Sequence, residues 1–118
     1  MGRVVGFELN SQHPEKAVEF YSNVFSWEID EAFFGYRPVR TDVRGQGMEG
    51  GIVEGPTDYP HGTRIQIEVN SIEESIRKAQ EHGALIVRDK MEFDDFYLAY
   101  LVDPTGLGFG LIEKKKIK

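Results

Sequence analysis

The amino-acid sequence repeats itself at an offset of about sixty residues, and this repetition limits the folds that the chain can adopt. The segment FELNS at residues 7–11 resembles IEVNS at residues 67–71. GIVE at residues 51–54 resembles GLIE at residues 110–113 at nearly the same offset. Two such matches, one near each end of each half, indicate an internal duplication. The offset matches no solenoid period, and two copies are too few to form a solenoid.

Each half follows the same order of secondary structure. Alternating apolar residues predict the strands, and helical spacing together with start signals predicts one helix in each half. The first helix begins with Pro14 at its first position, and the second begins with a capping box from Ser71 to Glu74. Strands are predicted at residues 4–9, 27–29, 36–43, 48–54, 64–69, 84–87, 96–102 and 107–113. The order β-α-β-β-β, found twice, predicts an α+β fold.

The length and apolar content fit one globular domain. The chain has 118 residues, of which 40% are hydrophobic and 29% charged. We assign residues 1–118 to a single domain, with module one at about 1–55, module two at about 62–113 and a basic tail at 114–118. The apolar runs are only a few residues long, so no membrane span is predicted. The first residues lack a signal-peptide pattern, and we expect a cytoplasmic location.

Charge and cysteine content exclude several kinds of partner. Four of the 14 basic residues lie in the tail, so residues 1–113 carry 10 basic side chains against 20 acidic ones. Such a surface repels a phosphate backbone, and we expect no nucleic-acid partner. We interpret the tail itself as a solvated terminus. Because the chain has no cysteine, it can form neither a disulfide nor a thiolate metal site.

Two further segments, together with the duplication, carry a family resemblance. PEKAVEFYSNVFSW at residues 14–27 and VDPTGLGFGL at residues 102–111 resemble the vicinal oxygen chelate superfamily, which includes glyoxalase I, the bleomycin resistance proteins and the extradiol dioxygenases. The resemblance implies two βαβββ modules that form a curled, cleft-enclosing mixed sheet of glyoxalase-like fold. It also implies a homodimer, since small members commonly pair. In the metal-dependent members, the cleft holds one divalent ion that polarises the substrate.

The positions that hold the metal in those relatives do not carry ligands here. Carried over residue by residue, the resemblance places Gly6, Gly51, Arg64 and Gly110 at the four positions. Glycine has no side chain, and a guanidinium is always protonated and only donates hydrogen bonds. We therefore expect no metal and no other cofactor. The glycines either leave volume for a bound molecule or relieve crowding in a curved sheet.

Strand alternation selects candidate ligand-binding residues on the predicted cleft side. The set includes Arg40 and Tyr100, although the sequence does not decide which face of the strand at residues 96–102 lines the cleft. Arg64 could clamp a carboxylate or phosphate group, or it could be neutralised by Glu8 or Glu68 in an internal ion pair. The full set of candidates comprises Glu8, Arg64, Gln66, Glu68, Arg40 and Tyr100.

Three hypotheses of function follow from these residues. The first is a glyoxalase-like or bleomycin-resistance-like protein that binds a small organic molecule, including an anionic one, without metal. The second is an enzyme of the superfamily, a lyase, isomerase or dioxygenase, with a relocated metal or with acid–base chemistry at Glu8. The third is a non-catalytic dimer with a vestigial cleft. Glyoxalase I activity itself is not expected.

Overall fold

A computed structural model describes residues 2–33, 35–54 and 62–116 of the chain. The first five elements are β1 (Arg3–Asn10), α1 (Pro14–Phe25), β2 (Glu28–Ile29), β3 (Tyr36–Arg40) and β4 (Glu49–Val53). The next five are β5 (Gly62–Glu68), α2 (Ile72–Glu81), β6 (Leu85–Glu92), β7 (Phe96–Val102) and β8 (Gly108–Lys114). The predicted order β-α-β-β-β, found twice, and the α+β class are confirmed.

The chain divides into two compact units. We call residues 6–64 the N-terminal unit, and residues 1–5 with 65–118 the C-terminal unit. In the N-terminal unit, β2, β3 and β4 are antiparallel neighbours, and β4 pairs in parallel with β1. In the C-terminal unit, β6, β7 and β8 are antiparallel neighbours, and β8 pairs in parallel with β5. Each unit therefore has the same mixed strand order. The single domain and the module boundaries stay predictions.

The strand register shows which residues are equivalent in the two units. Glu8 lies opposite Gly51 in the parallel pair of the N-terminal unit. Gln66 lies opposite Gly110 in the parallel pair of the C-terminal unit. With Gly51 and Gly110 equated, as in the match of GIVE with GLIE, the counterpart of Glu8 is Gln66, two residues before the Glu68 that the match of FELNS with IEVNS gives. Because side chains alternate with a period of two, this shift keeps the residues on the same face.

The core of the C-terminal unit forms between α2 and the sheet. The Ser71 hydroxyl accepts a hydrogen bond from the backbone N–H of Glu74 at 3.2 Å, which confirms the predicted start of α2. The backbone N–H of Ile72 donates to the carboxylate of Glu113 at 2.9 Å. The buried core comprises Ile72, Ile76, Ala84, Ala99, Leu101 and Leu111. Capping and apolar burial together fix α2 on this face.

The helix of the N-terminal unit is far less covered. No residue of α1, all of which is described, is buried. Phe20, Val24 and Phe25 are each more than half exposed, although they belong to its apolar stripe. The ring of Tyr21 stacks on Trp27 with centroids 4.8 Å apart, so aromatic contacts hold the helix. Neither α1 nor α2 has the length and apolar character needed to cross a bilayer.

Candidate functional site

Gly51 of the N-terminal unit lies directly beneath a tyrosine ring. In the sheet, Gly51 is flanked by Glu8 on one neighbouring strand and by Pro38 on the other. Tyr36 stands two residues before Pro38, so its side chain projects from the same face. A Cβ at position 51 would overlap the ring and the hydroxyl of Tyr36. The glycine therefore gives the tyrosine the room to lie across the strand.

Gly110 of the C-terminal unit has a similar neighbour. Its register partners are Gln66 and Tyr100. A Cβ at position 110 would lie 3.2 Å from Cε1 of Tyr100 and 3.6 Å from Cγ of Gln66. Ala99 and Leu101 belong to the core beneath α2, so Tyr100 projects from the opposite face of β7. Tyr100 therefore lies on the face of β7 that is turned away from α2, and the lining of a cleft by this face stays a prediction.

These contacts change the interpretation of two glycines. Beside Gly51 and Gly110, the volume that a side chain would need is bordered or filled by Tyr36 and Tyr100. A small molecule at either position would contact the tyrosine ring first. Gly6 is buried on β1. The assignment of the three glycines to the lining of a cleft stays a prediction.

Arg64 forms an ion pair with Glu8 inside the N-terminal unit. Nε of Arg64 donates to Oε1 of Glu8 at 3.0 Å, and the two side chains are only 5% and 1% exposed. Of the two partners that the sequence allowed, the pair forms with Glu8. A buried pair of this kind must satisfy its remaining polar atoms to persist. Every fully buried side-chain nitrogen or oxygen in the described ranges does have a hydrogen-bond partner.

Tyr36 is the residue that the sequence did not single out. Burial, followed by the negative charges of Glu8 and Glu49, raises the pKa of Tyr36 to about 12. The phenol is therefore uncharged near neutral pH and can donate a hydrogen bond. Alternation along β3 places Tyr36 on the Pro38 face, and an aromatic residue often covers a glycine on a neighbouring strand. A tyrosine on this face, with a glycine on the neighbouring strand, is the sequence signal that could have indicated Tyr36.

Two other candidates are engaged in ion pairs elsewhere. Arg40 contacts Glu28 at 3.2 Å and Asp30 at 3.4 Å at the edge of the N-terminal sheet. Glu68 contacts Arg3 at 2.8 Å and Lys114 at 3.4 Å in the C-terminal unit. Glu8, Arg64, Gly51 and Tyr36 instead lie together within the N-terminal unit. This cluster is the candidate site.

The residues at the family metal positions do not fit a metal ion. Gly6, Gly51 and Gly110 have no side chain that could ligate a metal, and Arg64 donates a hydrogen bond to Glu8. Within residues 2–33, 35–54 and 62–116, no three His, Asp or Glu side chains form a group able to hold a metal.

The sequence of the chain decides its family. Residues 6–112 match the family model described as a glyoxalase-like domain. The chain belongs to the glyoxalase-like domain family. The predicted resemblance to the vicinal oxygen chelate superfamily is thereby confirmed, as is the glyoxalase-like fold. Among curated proteins, none matches this glyoxalase-like chain in sequence.

Solved structures support the same fold. A glyoxalase/bleomycin resistance protein/dioxygenase superfamily member from Vibrio splendidus 12B01 matches with TM-score 0.66 and 14% identity, over 98% of this chain and 100% of that one. Methylmalonyl-CoA epimerase from Mycobacterium tuberculosis matches with TM-score 0.58 and 15% identity, over 95% and 86%. The Mn(II)-bound glyoxalase from Novosphingobium aromaticivorans matches with TM-score 0.63 and 17% identity, over 97% of this chain and 38% of that one. At these identities the likeness concerns the fold alone.

Proposed function

We propose that this glyoxalase-like protein binds a small organic molecule at the candidate site without a divalent metal. The observation that carries the proposal is the replacement of the metal site by other chemistry. At two of the family positions, Tyr36 covers a glycine and Arg64 is neutralised by Glu8. The remaining surface of the site is an aromatic ring with a phenolic hydroxyl.

The chemistry of the site favours a planar, uncharged ligand. The half-buried ring of Tyr36 can stack on a flat molecule, and its hydroxyl can donate to an acceptor such as a carbonyl. Because Glu8 cancels the charge of Arg64, the site has no strong preference for an anion. We therefore no longer expect an anionic ligand clamped by Arg64. We expect an uncharged ligand with a hydrogen-bond acceptor.

The acid–base enzyme is less well supported by the geometry. Glu8 is hydrogen-bonded to Arg64 and almost completely buried, so its carboxylate is not exposed to a substrate. The vestigial site is favoured by one observation, because tyrosine rings already stand beside Gly51 and Gly110. The vestigial site therefore remains the second candidate function. A measurement of ligand binding distinguishes it from the proposed binding protein.

A thermal-shift screen of planar organic compounds on chelator-treated protein tests the proposal. We expect some compounds to raise the melting temperature without metal. The rise should be smaller in Tyr36→Phe, which keeps only the ring, and absent in Tyr36→Leu. Tyr97→Phe is the matched control, because Tyr97 packs against the core of the C-terminal unit. If no compound binds, the vestigial site is supported. If Mn²⁺, Ni²⁺ or Zn²⁺ is required, the metal-free proposal is wrong.

The homodimer and the cytoplasmic location remain part of the proposal. The resemblance to small superfamily members supports the dimer, and a sedimentation measurement of the purified chain tests it. A mass of one chain at micromolar concentration would contradict the dimer. Fractionation of the source cells tests the location.

A further inference from the structure

A shallow depression lies on the surface of the C-terminal unit. Its volume is about 660 Å³, which is in the range of small-molecule sites. Among the described residues that line it, three are cationic and one is a carboxylate. The lining comprises Arg3, Glu68, Val69, Asn70, Lys114 and Lys116.

The cations at this depression are held in place by neighbouring contacts. Nε of Arg3 donates to Oε1 of Glu68 at 2.9 Å, and Nζ of Lys114 lies 3.4 Å from Oε2 of the same carboxylate. The hydrogen bond from Arg3 lowers the pKa of Glu68, so this carboxylate stays charged. One negative charge therefore positions two cations and compensates only part of their charge.

The basic tail is tied down where it reaches the depression. The backbone N–H of Lys115 donates to the carbonyl oxygen of Asp95 at 2.9 Å, and its Nζ lies 2.7 Å from Oε2 of Glu92. The interpretation of the tail as a solvated terminus is therefore wrong at Lys115. Residues 117 and 118 of the tail lie outside the described residues. Lys114 and Lys116 line the depression, whereas Lys115 does not.

The charge of the depression is opposite to that of the protein. Three cations and one carboxylate leave two positive charges, on a chain whose formal net charge is −6. Exposed cations that converge on one concave surface attract anions, most strongly at low ionic strength. We propose that this depression binds a small oxyanion with two or more negative charges, of the kind that a phosphorylated small molecule carries.

Calorimetric titration with pyrophosphate at low ionic strength tests this site. We expect saturable binding of one pyrophosphate per chain by the wild-type protein. Each exposed cation that is removed should weaken binding by roughly two- to fivefold. Lys114→Gln combined with Lys116→Gln should thus show a larger loss than either single variant. Lys115→Gln is the matched control, because it removes the same charge from the same tail outside the depression and keeps the backbone hydrogen bond to Asp95 that holds the tail.

The control decides between a defined site and general attraction to the tail. The proposal is supported if the double variant binds pyrophosphate more weakly than the wild type and if the affinity of Lys115→Gln stays within twofold of the wild type. Absence of saturable binding overturns it, and so does an equal loss in Lys115→Gln. Unchanged melting temperatures of the free variants show that the fold is intact. The result is independent of Tyr36 and therefore of the proposed organic ligand.

Discussion

The two units of the chain place a glycine beside a tyrosine in different ways. In the N-terminal unit, the register partner of Gly51 on β3 is Pro38. Tyr36 lies two residues before Pro38 and reaches Gly51 diagonally. In the C-terminal unit, Tyr100 is itself the register partner of its glycine. The diagonal arrangement brings the ring so close that a Cβ at position 51 would overlap it, whereas at Gly110 the nearest ring atom is 3.2 Å away.

The residues across the parallel strands differ as well. The N-terminal unit has Glu8 opposite its glycine, and the C-terminal unit has the uncharged Gln66. A buried carboxylate needs a cation, and Arg64 provides it. One topology thus sets a charge-paired carboxylate opposite the glycine of one unit and an uncharged glutamine opposite the glycine of the other. The distinctive chemistry of the molecule therefore lies in the N-terminal unit.

The largest effect is expected from breaking the charge pair. Arg64→Met leaves Glu8 buried without its cation, and we expect the free energy of unfolding to fall by about 3–5 kcal/mol. Gln66→Met, its matched control in the C-terminal unit, should cost only about 1 kcal/mol. Adding Glu8→Gln to Arg64→Met should recover most of the loss. Denaturant unfolding measures all four proteins, and equal losses in the two single variants would remove the proposed difference.

A smaller effect is expected from filling the glycine positions. Gly51→Ala must displace the Tyr36 ring and should cost about 1–3 kcal/mol, as overpacking does in other proteins. Gly110→Ala makes a contact that a slight shift can relieve, and it should cost about 1 kcal/mol or less. Tyr36→Leu should reduce the penalty at position 51 in a double-mutant cycle. Additive effects of Gly51→Ala and Tyr36→Leu would show that the ring does not cover the glycine.

The effect that is smallest at neutral pH concerns the ionisation of Tyr36. Its pKa is raised to about 12 in the folded protein, above the ordinary value of about 10 that applies to the unfolded chain. The unfolded state therefore loses its proton first, and the contribution of Tyr36 to stability is full below pH 10 and is lost as the pH rises toward 12. Tyr36→Phe should show a shallower decline in this window. If the stability of wild type and Tyr36→Phe fell in parallel between pH 10 and 12, the raised pKa of Tyr36 would be contradicted.

Much of the fold could be predicted because its signals are local. The N-cap hydrogen bond from the Glu74 backbone to Ser71 marks the predicted start of α2, and the strand at residues 96–102 was predicted with the bounds that the structure shows. The pairing of Arg64 with Glu8 was one of two alternatives that strand alternation allowed. Alternation assigns a residue to a face, but it does not choose the neighbour on the next strand.

The rest depends on register between strands, which the sequence does not contain locally. The contact of Tyr36 with Gly51 could not be predicted, because it depends on the alignment of β3 with β4. For the same reason, the matches of FELNS with IEVNS and of GIVE with GLIE differ by two residues once the pairs Glu8–Gly51 and Gln66–Gly110 are compared. The anchoring of Lys115 by Glu92 joins two distant segments and has no local signal.

Native mass spectrometry of the protein with a compound selected by the thermal-shift screen tests the central claim most directly, because it weighs metal and organic ligand on the same molecule. We expect a complex with one organic molecule and no metal per chain, which persists in chelator and is lost in Tyr36→Leu. A complex whose mass always includes a metal ion, or one that chelator abolishes, would contradict it.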